Sequence, residues 1–410
     1  MRERATNVLV VPQCRIVDVC SSLELDRATR SQSQRCRDAL SPHRLTPPSR
    51  VSNSSDHDSS EANELDRYDF ELPRELIAQE PPAQRTDARM LVIDRRSGRI
   101  EHASVRDLPS FMQAGDAIVV NDSRVIPARL VGFREKTRGR WEGLFLREEN
   151  GVAEFLSKSR GYLLENERIV LRDPEGRENQ GLIVVAHTQE GNVLFRPDPA
   201  TGWLELLEQS GRVPLPPYIR DGQMVESDRN RYQTVYARNP GSVAAPTAGL
   251  HLTEDLLQKV RGAGVALVAV TLHVGLGTFR PVQAKKLDAH KMHSEYARIT
   301  QNVVRRLQSA RAEGGRILAV GTTSVRTLET AALHGGGTLA EWSGQTDLFI
   351  KPGHTFRAVD RMLTNFHLPR STLLVLVCTF AGRELMLEAY HKAIEQQYRF
   401  FSYGDCMLIV

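Results

Sequence analysis

Ser242-Val243-Ala244-Ala245-Pro246-Thr247-Ala248-Gly249-Leu250-His251 and, further on, Leu272-His273-Val274-Gly275-Leu276-Gly277-Thr278-Phe279-Arg280-Pro281-Val282 are two loops poor in bulk and rich in Gly, Thr and His. Between them Thr253 precedes Glu254 and Asp255, an N-cap with first-turn acids, and Leu256, Leu257 and Val260 form the apolar face of a helix that Gly262 and Gly264 end. Val265 to Leu272 is a nearly continuous apolar run, the pattern of a strand covered on both faces. One helix and one strand thus separate the loops, so both reach one end of a sheet. His251 and His273 fall at element boundaries, while Gly249, Gly275 and Gly277 let backbone approach a ligand. A lone histidine beside apolar sequence is ordinarily structural. Two that frame one helix–strand unit point to chemistry.

The 410 residues suit two or three domains, and 40% hydrophobic with 25% charged residues is ordinary globular composition. No run approaches the roughly 20 apolar residues of a membrane span. Five cysteines without Cys-x-x-Cys spacing exclude a zinc ribbon or disulfide framework and suit a reducing, cytoplasmic setting. Cys378 sits in an apolar run as a small core residue. Residues 1–64 read as a disordered extension: the first 60 are rich in Arg, Ser and Pro, lack Lys, and end in a polar tract. Their acids argue against a transit peptide.

Folded sequence starts at Leu65. Arg85, Asp87 and Arg89, in a proline-stiffened loop, suit an anion, a ribose or a loop ion pair. Leu91–Asp94 and Arg99–His102 predict a hairpin, and Asp107–Gln113 a short helix. Ala117–Val120 is a strand running into Asn121, Asp122, Ser123 and Arg124, a cluster that serves as ligand groups or as an Asx turn. From Ala128 to Pro214 short β-rich runs alternate with turn clusters, which predicts a small antiparallel barrel or sandwich inserted in the main fold. Its basic run Arg134, Lys136, Arg138 and Arg140 reads as solvated surface or an RNA edge.

Beyond the two loops, Thr300 caps a helix through Ala312, Arg316–Val320 is a strand, and Gly321-Thr322-Thr323-Ser324 opens a helix whose N-terminus suits an anion or is an ordinary cap. Thr346–Ile350 is expected as another strand, Ser371–Phe380 and Glu384–Gln397 as helices, and Met407–Val410 as a last strand. No Gly-x-Gly-x-x-Gly, phosphate loop, nucleophile elbow or His-Glu-x-x-His occurs, and His290 with His293 lacks partners for a metal.

Tyr68-Asp69-Phe70-Glu71-Leu72-Pro73, Arg85-Thr86-Asp87-Ala88-Arg89-Met90, Val120-Asn121-Asp122-Ser123-Arg124-Val125, Ala245-Pro246-Thr247-Ala248-Gly249-Leu250-His251, Leu272-His273-Val274-Gly275-Leu276-Gly277-Thr278-Phe279, Gly321-Thr322-Thr323-Ser324-Val325-Arg326 and Thr364-Asn365-Phe366-His367-Leu368-Pro369 together resemble, in order, the S-adenosylmethionine:tRNA ribosyltransferase-isomerases of queuosine biosynthesis. The resemblance covers Leu65 to Val410. It implies an α/β fold with a discontinuous main α/β domain (65–127 and 215–410) and an inserted antiparallel β-barrel (128–214). It further implies transfer and isomerisation of the ribosyl moiety of S-adenosylmethionine, a cosubstrate rather than a permanently bound cofactor, onto 7-aminomethyl-7-deazaguanine in a tRNA anticodon loop. Epoxyqueuosine, adenine and methionine would result, on a monomer without metal or membrane.

That chemistry needs a base at the ribose carbon beside the sulfonium, an acid for adenine and an acceptor for the amine proton. We assign His251 and His273 as leading catalytic candidates, then His354, His367 and Asp87. Asn121, Asp122, Ser123, Arg124, Thr247, Gly249, Gly275, Gly277, Thr322, Thr323 and Ser324 are the cosubstrate-binding candidates, with Arg326 and Lys351 suited to anions. A methyltransferase would want a glycine-rich loop after its first strand, which is missing. A module binding RNA by charge alone would want more than the net +4, of which nine arginines against seven acids in the first 60 residues supply two.

Overall fold

In the computed structural model residues 63–275 and 284–410 are described, all within one unit, Ser59–Val410. Near-continuous apolar runs, buried on both faces, form the central strands of the main sheet. The N-terminal part supplies β1 (Arg89–Asp94), β2 (Arg99–Ser104) and β3 (Ala117–Asn121), followed by the short β4 (Ser123–Val125). Six antiparallel strands then close a barrel: β5 (Arg129–Arg134), β6 (Arg140–Glu149), β7 (Val152–Ser159), β8 (Arg168–Leu171), β9 (Gly181–His187) and β10 (Val193–Asp198). Trp141, Phe155 and Phe195 fill it, closed at one side by Trp203 of α1 (Trp203–Ser210). The chain enters and leaves the barrel at one doorway, where Arg129 and Arg212 exchange backbone hydrogen bonds of 3.1 and 2.8 Å.

After the barrel come α2 (Asp228–Arg231), β11 (Asn239–Ser242), α3 (Glu254–Gly262), β12 (Ala266–Leu272), β13 (Glu295–Ile299), α4 (Gln301–Ala312), β14 (Ile317–Val320), α5 (Thr322–His334), β15 (Trp342–Thr346), β16 (Arg361–Asn365), α6 (Thr372–Ala381), α7 (Arg383–Glu395) and β17 (Cys406–Ile409). The nine-stranded sheet has the order β15-β13-β12-β3-β14-β16-β17-β1-β2. Its centre, β12-β3-β14-β16, is parallel. Period-two alternation serves both faces: Ala117, Val119, Ile317 and Ala319 face a layer built from α4 to α7, while Ile118, Val120, Leu318 and Val320 face α3 and the 3-10 turn Val105–Phe111. No helix among the described residues is long and apolar enough to cross a membrane.

The sequence reading and the structure differ at several places, among them the helix expected at Asp107–Gln113, which is the 3-10 turn Val105–Phe111. The expected strand Thr346–Ile350 lies earlier, at Trp342–Thr346, because antiparallel pairing with β13 sets its register, and the apolar run beyond it packs without strand structure on the core. The barrel segment also holds β5 and the helix α1, neither of which its short-strand pattern suggested. Thr300 precedes α4 but makes no side-chain cap. The basic run agrees with the solvated-surface reading: it spans the β5–β6 turn with Lys136, Arg138 and Arg140 exposed, while Arg134 binds Glu167 at 2.5 Å and Arg138 lies over Phe133.

Candidate active site

In an open α/β sheet the loops at the C-terminal ends of the parallel strands carry the ligand groups, at the point where connections leave on opposite faces. Here that point lies beside β3: α3, leading to β12, covers one face and α4, leading to β14, the other. The C-terminal ends of the four parallel strands present Asn121, His273, Thr322 and Asn365 to one edge.

Asn121 is fully buried and acts as a clamp. Its Nδ2 donates to Leu272 O at 2.9 Å, and its Oδ1 accepts from Leu272 N at 3.0 Å and Ser123 N at 3.1 Å. Of the two readings of this cluster, the Asx-type bond to Ser123 is present, and a bridge to the next strand accompanies it. The bridge fixes the backbone just before His273. His273 Nδ1 lies 2.8 Å from Ser123 Oγ, and its ring stacks on Tyr296 at 5.8 Å between centroids, 20° from parallel. Gly241, with φ +141°, packs on the imidazole, where a Cβ would lie 3.1 Å from the ring. Burial lowers the His273 pKa, with Asp122 opposing. Asp122 Oδ1 accepts from Thr271 Oγ1 at 2.7 Å and Asn239 Nδ2 at 3.0 Å.

The first loop of the opening stretch is tied to the second: Val274 N donates to Ser242 Oγ at 2.9 Å and Val243 N to Val274 O at 3.0 Å. Its 3-10 turn, Thr247–His251, covers the ends of β14 and β16, and Ala248 Cβ is 3.6 Å from where a Cβ on Gly321 would stand. Gly249 has a plain steric reason, because a Cβ there would fall 2.0 Å from Tyr236 Oη. His251 is buried and its pKa is pushed down to about 4 by that burial; Asn365 beside it acts the other way, and the charges of Arg85 and Arg399 reinforce the drop.

A group of buried polar atoms gathers here: Arg85 Nη1, Thr234 Oγ1, Tyr236 Oη and Thr323 Oγ1 have no hydrogen-bond partner among the described residues, and His251 Nε2 and Asn365 Oδ1 have at most each other. Mutual interactions tie them together: Tyr236 feels the charges of Arg85 and Asp122, and His251 feels the charge of Arg85 and lies within hydrogen-bonding reach of Asn365. Native interiors pair nearly all such atoms, so a concentration of unpaired donors and acceptors at a strand-end crevice marks a place for a polar ligand. Thr323 stands at the N-terminus of α5; Ser324 is fully buried and turns back to Val320 O at 2.8 Å.

Other sequence candidates sit differently. His367 folds back on Thr364 Oγ1 at 3.1 Å while its backbone N–H donates to Tyr390 Oη at 2.9 Å, and burial pushes its pKa down to about 3. It lies two residues beyond the end of β16, beside Tyr390. His354 lies on the segment from β15 to β16, 3.4 Å from Glu329, the eighth residue of α5. Asp87 is exposed and paired with Arg106. Arg124 binds Glu208 at 2.5 Å, Lys351 pairs with Asp288, and Arg326 is buried against Glu295. Glu295 also accepts from Gly275 N at 2.9 Å, so the pair anchors the second loop from below. Thr247 is half-buried at the start of its turn. Gly277 lies outside the described residues, as does the stretch that follows it to Gln283. No group of three or more His, Cys, Asp or Glu among the described residues is arranged to hold a metal.

Tyr236, Thr234, Glu295 and Asn365 were not among the sequence candidates for the site. Arg85 and Asn365 stood inside quoted motifs, a signal of sorts; Tyr236 and Thr234 had none, because only folding brings them under Gly249.

The sequence pattern of the Queuosine biosynthesis protein family matches residues 65–409. A curated relative from Desulforamulus reducens, named S-adenosylmethionine:tRNA ribosyltransferase-isomerase, is 45% identical over 358 residues, covering 85% of this chain and 100% of the relative. A crystal structure of S-adenosylmethionine tRNA ribosyltransferase from Thermotoga maritima is 34% identical, spans 84% of this chain and 100% of its own, and superposes with a TM-score of 0.48. With a family match from Leu65 to the penultimate residue and a relative this similar over its whole length, the chain belongs to the S-adenosylmethionine:tRNA ribosyltransferase-isomerases, the queuosine biosynthesis protein family.

Proposed function

We propose that this protein transfers and isomerises the ribosyl moiety of S-adenosylmethionine onto the aminomethyl group of 7-aminomethyl-7-deazaguanine in the anticodon loop of a tRNA, releasing adenine and methionine and leaving epoxyqueuosine, in the cytoplasm and as a monomer. The observation that carries this reading is the cluster of unpartnered buried polar atoms around Arg85, Tyr236, His251, Thr323 and Asn365, a set of donors and acceptors suited to a nucleoside and an amino-acid carboxylate. The first N–H groups of α5 favour the carboxylate.

The lowered pKa values of His251 and His273 keep both imidazoles neutral at neutral pH, the form that takes a proton. With Nδ1 of His273 engaged by Ser123 Oγ, Nε2 is the nitrogen left for substrate. In the route we favour, one of these histidines removes the proton from the ribose carbon beside the sulfonium and the resulting imidazolium protonates departing adenine. The substrate amine then adds, and the ring rearranges as methionine leaves. We assign Asp122 to the ribose hydroxyls or the amine, with Asn121 holding the strand end beside it, and Thr247, Gly249 and Gly275 to cosubstrate binding.

The test uses tRNA carrying the aminomethyl deazaguanine with cosubstrate labelled either in the ribose or in the methyl group. Ribose label in the tRNA, with free adenine and methionine, is the expected result. Methyl label alone in the tRNA would make the protein a methyltransferase. Equal binding of modified and unmodified tRNA without adenine release would make it a binding module.

A further inference from the structure

The folded part has little net charge, so any attraction for RNA must come from a local concentration of unpaired cations. In the barrel most arginines are neutralised: Arg134 binds Glu167, Arg147 binds Glu154, Arg168 binds Asp198 and Arg177 binds Asp173, at 2.5 to 2.7 Å. At the β12–β13–β15 end of the main sheet the pattern is different. β13 pairs with β12 only at Thr271 and Leu272, which leaves Ala266 to Val270 as an open edge. A cavity of about 280 Å³ lies there, lined in part by Arg238, Arg261 and Arg306 together with Asp122 and Tyr236 of the site. Only Arg261 among the three has a carboxylate partner among the described residues, Glu254 at 2.9 Å.

Strand register extends this basic edge toward the reaction centre. Arg298 stands opposite Thr271 and Ser343, and Tyr296 opposite Gln345, so these side chains share one face. Tyr296, Arg298, Ser343 and Gln345 are all exposed on it. Tyr296 is 39% exposed although it is a large aromatic with one ring face on His273, and Arg298 has no ion pair among the described residues. An exposed aromatic in contact with a candidate catalytic group, flanked by unpaired arginines, is how proteins hold single-stranded nucleic acid: the ring stacks a base and the cations take phosphates.

We infer that this edge seats the unpaired anticodon-loop strand of the tRNA, with Tyr296 stacking a base next to the one that reacts and Arg238, Arg298 and Arg306 taking backbone phosphates. The inference rests on the tRNA reading given above and adds the surface to it. It is favoured over the exposed Tyr162 and Leu164 of the barrel because Tyr162 is stacked on His187, with no link to the strand-end crevice.

The test measures affinity for substrate tRNA across a range of salt, in parallel with adenine release by the wild-type protein. Arg238→Gln, Arg298→Gln and Arg306→Gln should each weaken binding and each reduce the log–log salt slope by about 0.7. Tyr296→Ala should lose ~5- to 150-fold in tRNA affinity, Tyr296→Phe should retain it, and cosubstrate affinity should stay at the wild-type value. Arg99→Gln, at the far edge strand, serves as control. A wild-type protein that releases adenine, combined with unchanged affinity and slope in the triple arginine variant, overturns the inference and leaves the activity standing. Loss of affinity on Tyr162→Ala in place of Tyr296→Ala moves the RNA to the barrel and also overturns it. A wild-type protein that neither binds tRNA nor releases adenine removes the activity reading itself.

Discussion

Ser123 Oγ and His273 Nδ1 are 2.8 Å apart, although 150 residues and the whole barrel separate them in the chain. The contact exists because Asn121 locks the ends of β3 and β12 together through the Leu272 backbone. One side chain therefore orients the imidazole, and a second, two positions earlier, holds the strand that carries it.

Replacing His273 or His251 with Ala should preserve the fold and lower turnover on the order of 10²-fold or more for whichever transfers a proton. The base variant should also slow hydrogen exchange at the ribose carbon of bound cosubstrate, measured at saturation by mass spectrometry. Wild-type turnover in both variants would move the chemistry to His354, His367 or Asp87.

The clamp makes a separate prediction. Asn121→Leu keeps the volume but leaves the Leu272 and Ser123 N–H groups without their acceptor in a fully buried setting, at a cost of roughly 1–3 kcal/mol for each unsatisfied group. Urea denaturation should show the loss, and turnover measured where the variant is still folded should fall because His273 shifts. A variant as stable and active as the wild type would show that the clamp is dispensable.

Gly249→Ala puts a methyl group onto the Tyr236 hydroxyl, since the Cβ position is 2.0 Å from Oη. Overpacking of this kind costs about 1–3 kcal/mol. Adding Tyr236→Phe should recover part of the lost stability, which a double-mutant cycle would read as non-additivity. Strict additivity would contradict the contact.

The buried histidines also set a pH dependence. His251 and His367 titrate at about 4 and about 3 in the folded protein, below the ordinary value near 6.5 that the unfolded chain recovers. Above pH 6.5 both are neutral in either state and their contribution is complete. As pH falls below that, the unfolded chain takes up protons that the folded one refuses, so stability drops by about 1.4 kcal/mol per pH unit for each histidine until the folded values are reached. Denaturation midpoints between about pH 7 and pH 4.5 should fall accordingly, and His367→Asn should flatten the slope by about one proton. Parallel slopes for variant and wild type would place the His367 pKa near its ordinary value.

Much of the architecture was legible in the chain. The β12 run, the α3 caps and the α6 and α7 patterns are local signals, because side-chain periodicity and capping depend on residues a few positions apart. Tertiary pairing decided the rest. β15 lies before Thr346 since its register is set by β13, and local propensity favoured the more apolar run after it.

For the site, the sequence by itself determined which loops share one edge: those with His251, His273, Asn121 and Thr323 all reach the same sheet edge, as strand-then-polar-loop order requires. It did not decide which polar residues are spent on structure and which face a ligand. Asn121 is used on Leu272, His367 on Thr364, and Arg326 on Glu295, whereas Arg85, Tyr236 and Asn365 keep unpartnered atoms in the crevice. Hydrogen-bond satisfaction is a property of three-dimensional neighbours, and these partners are brought together by crossovers spanning tens to hundreds of residues. Residue type and spacing specify the donors and acceptors, and only the packed sheet determines which remain free.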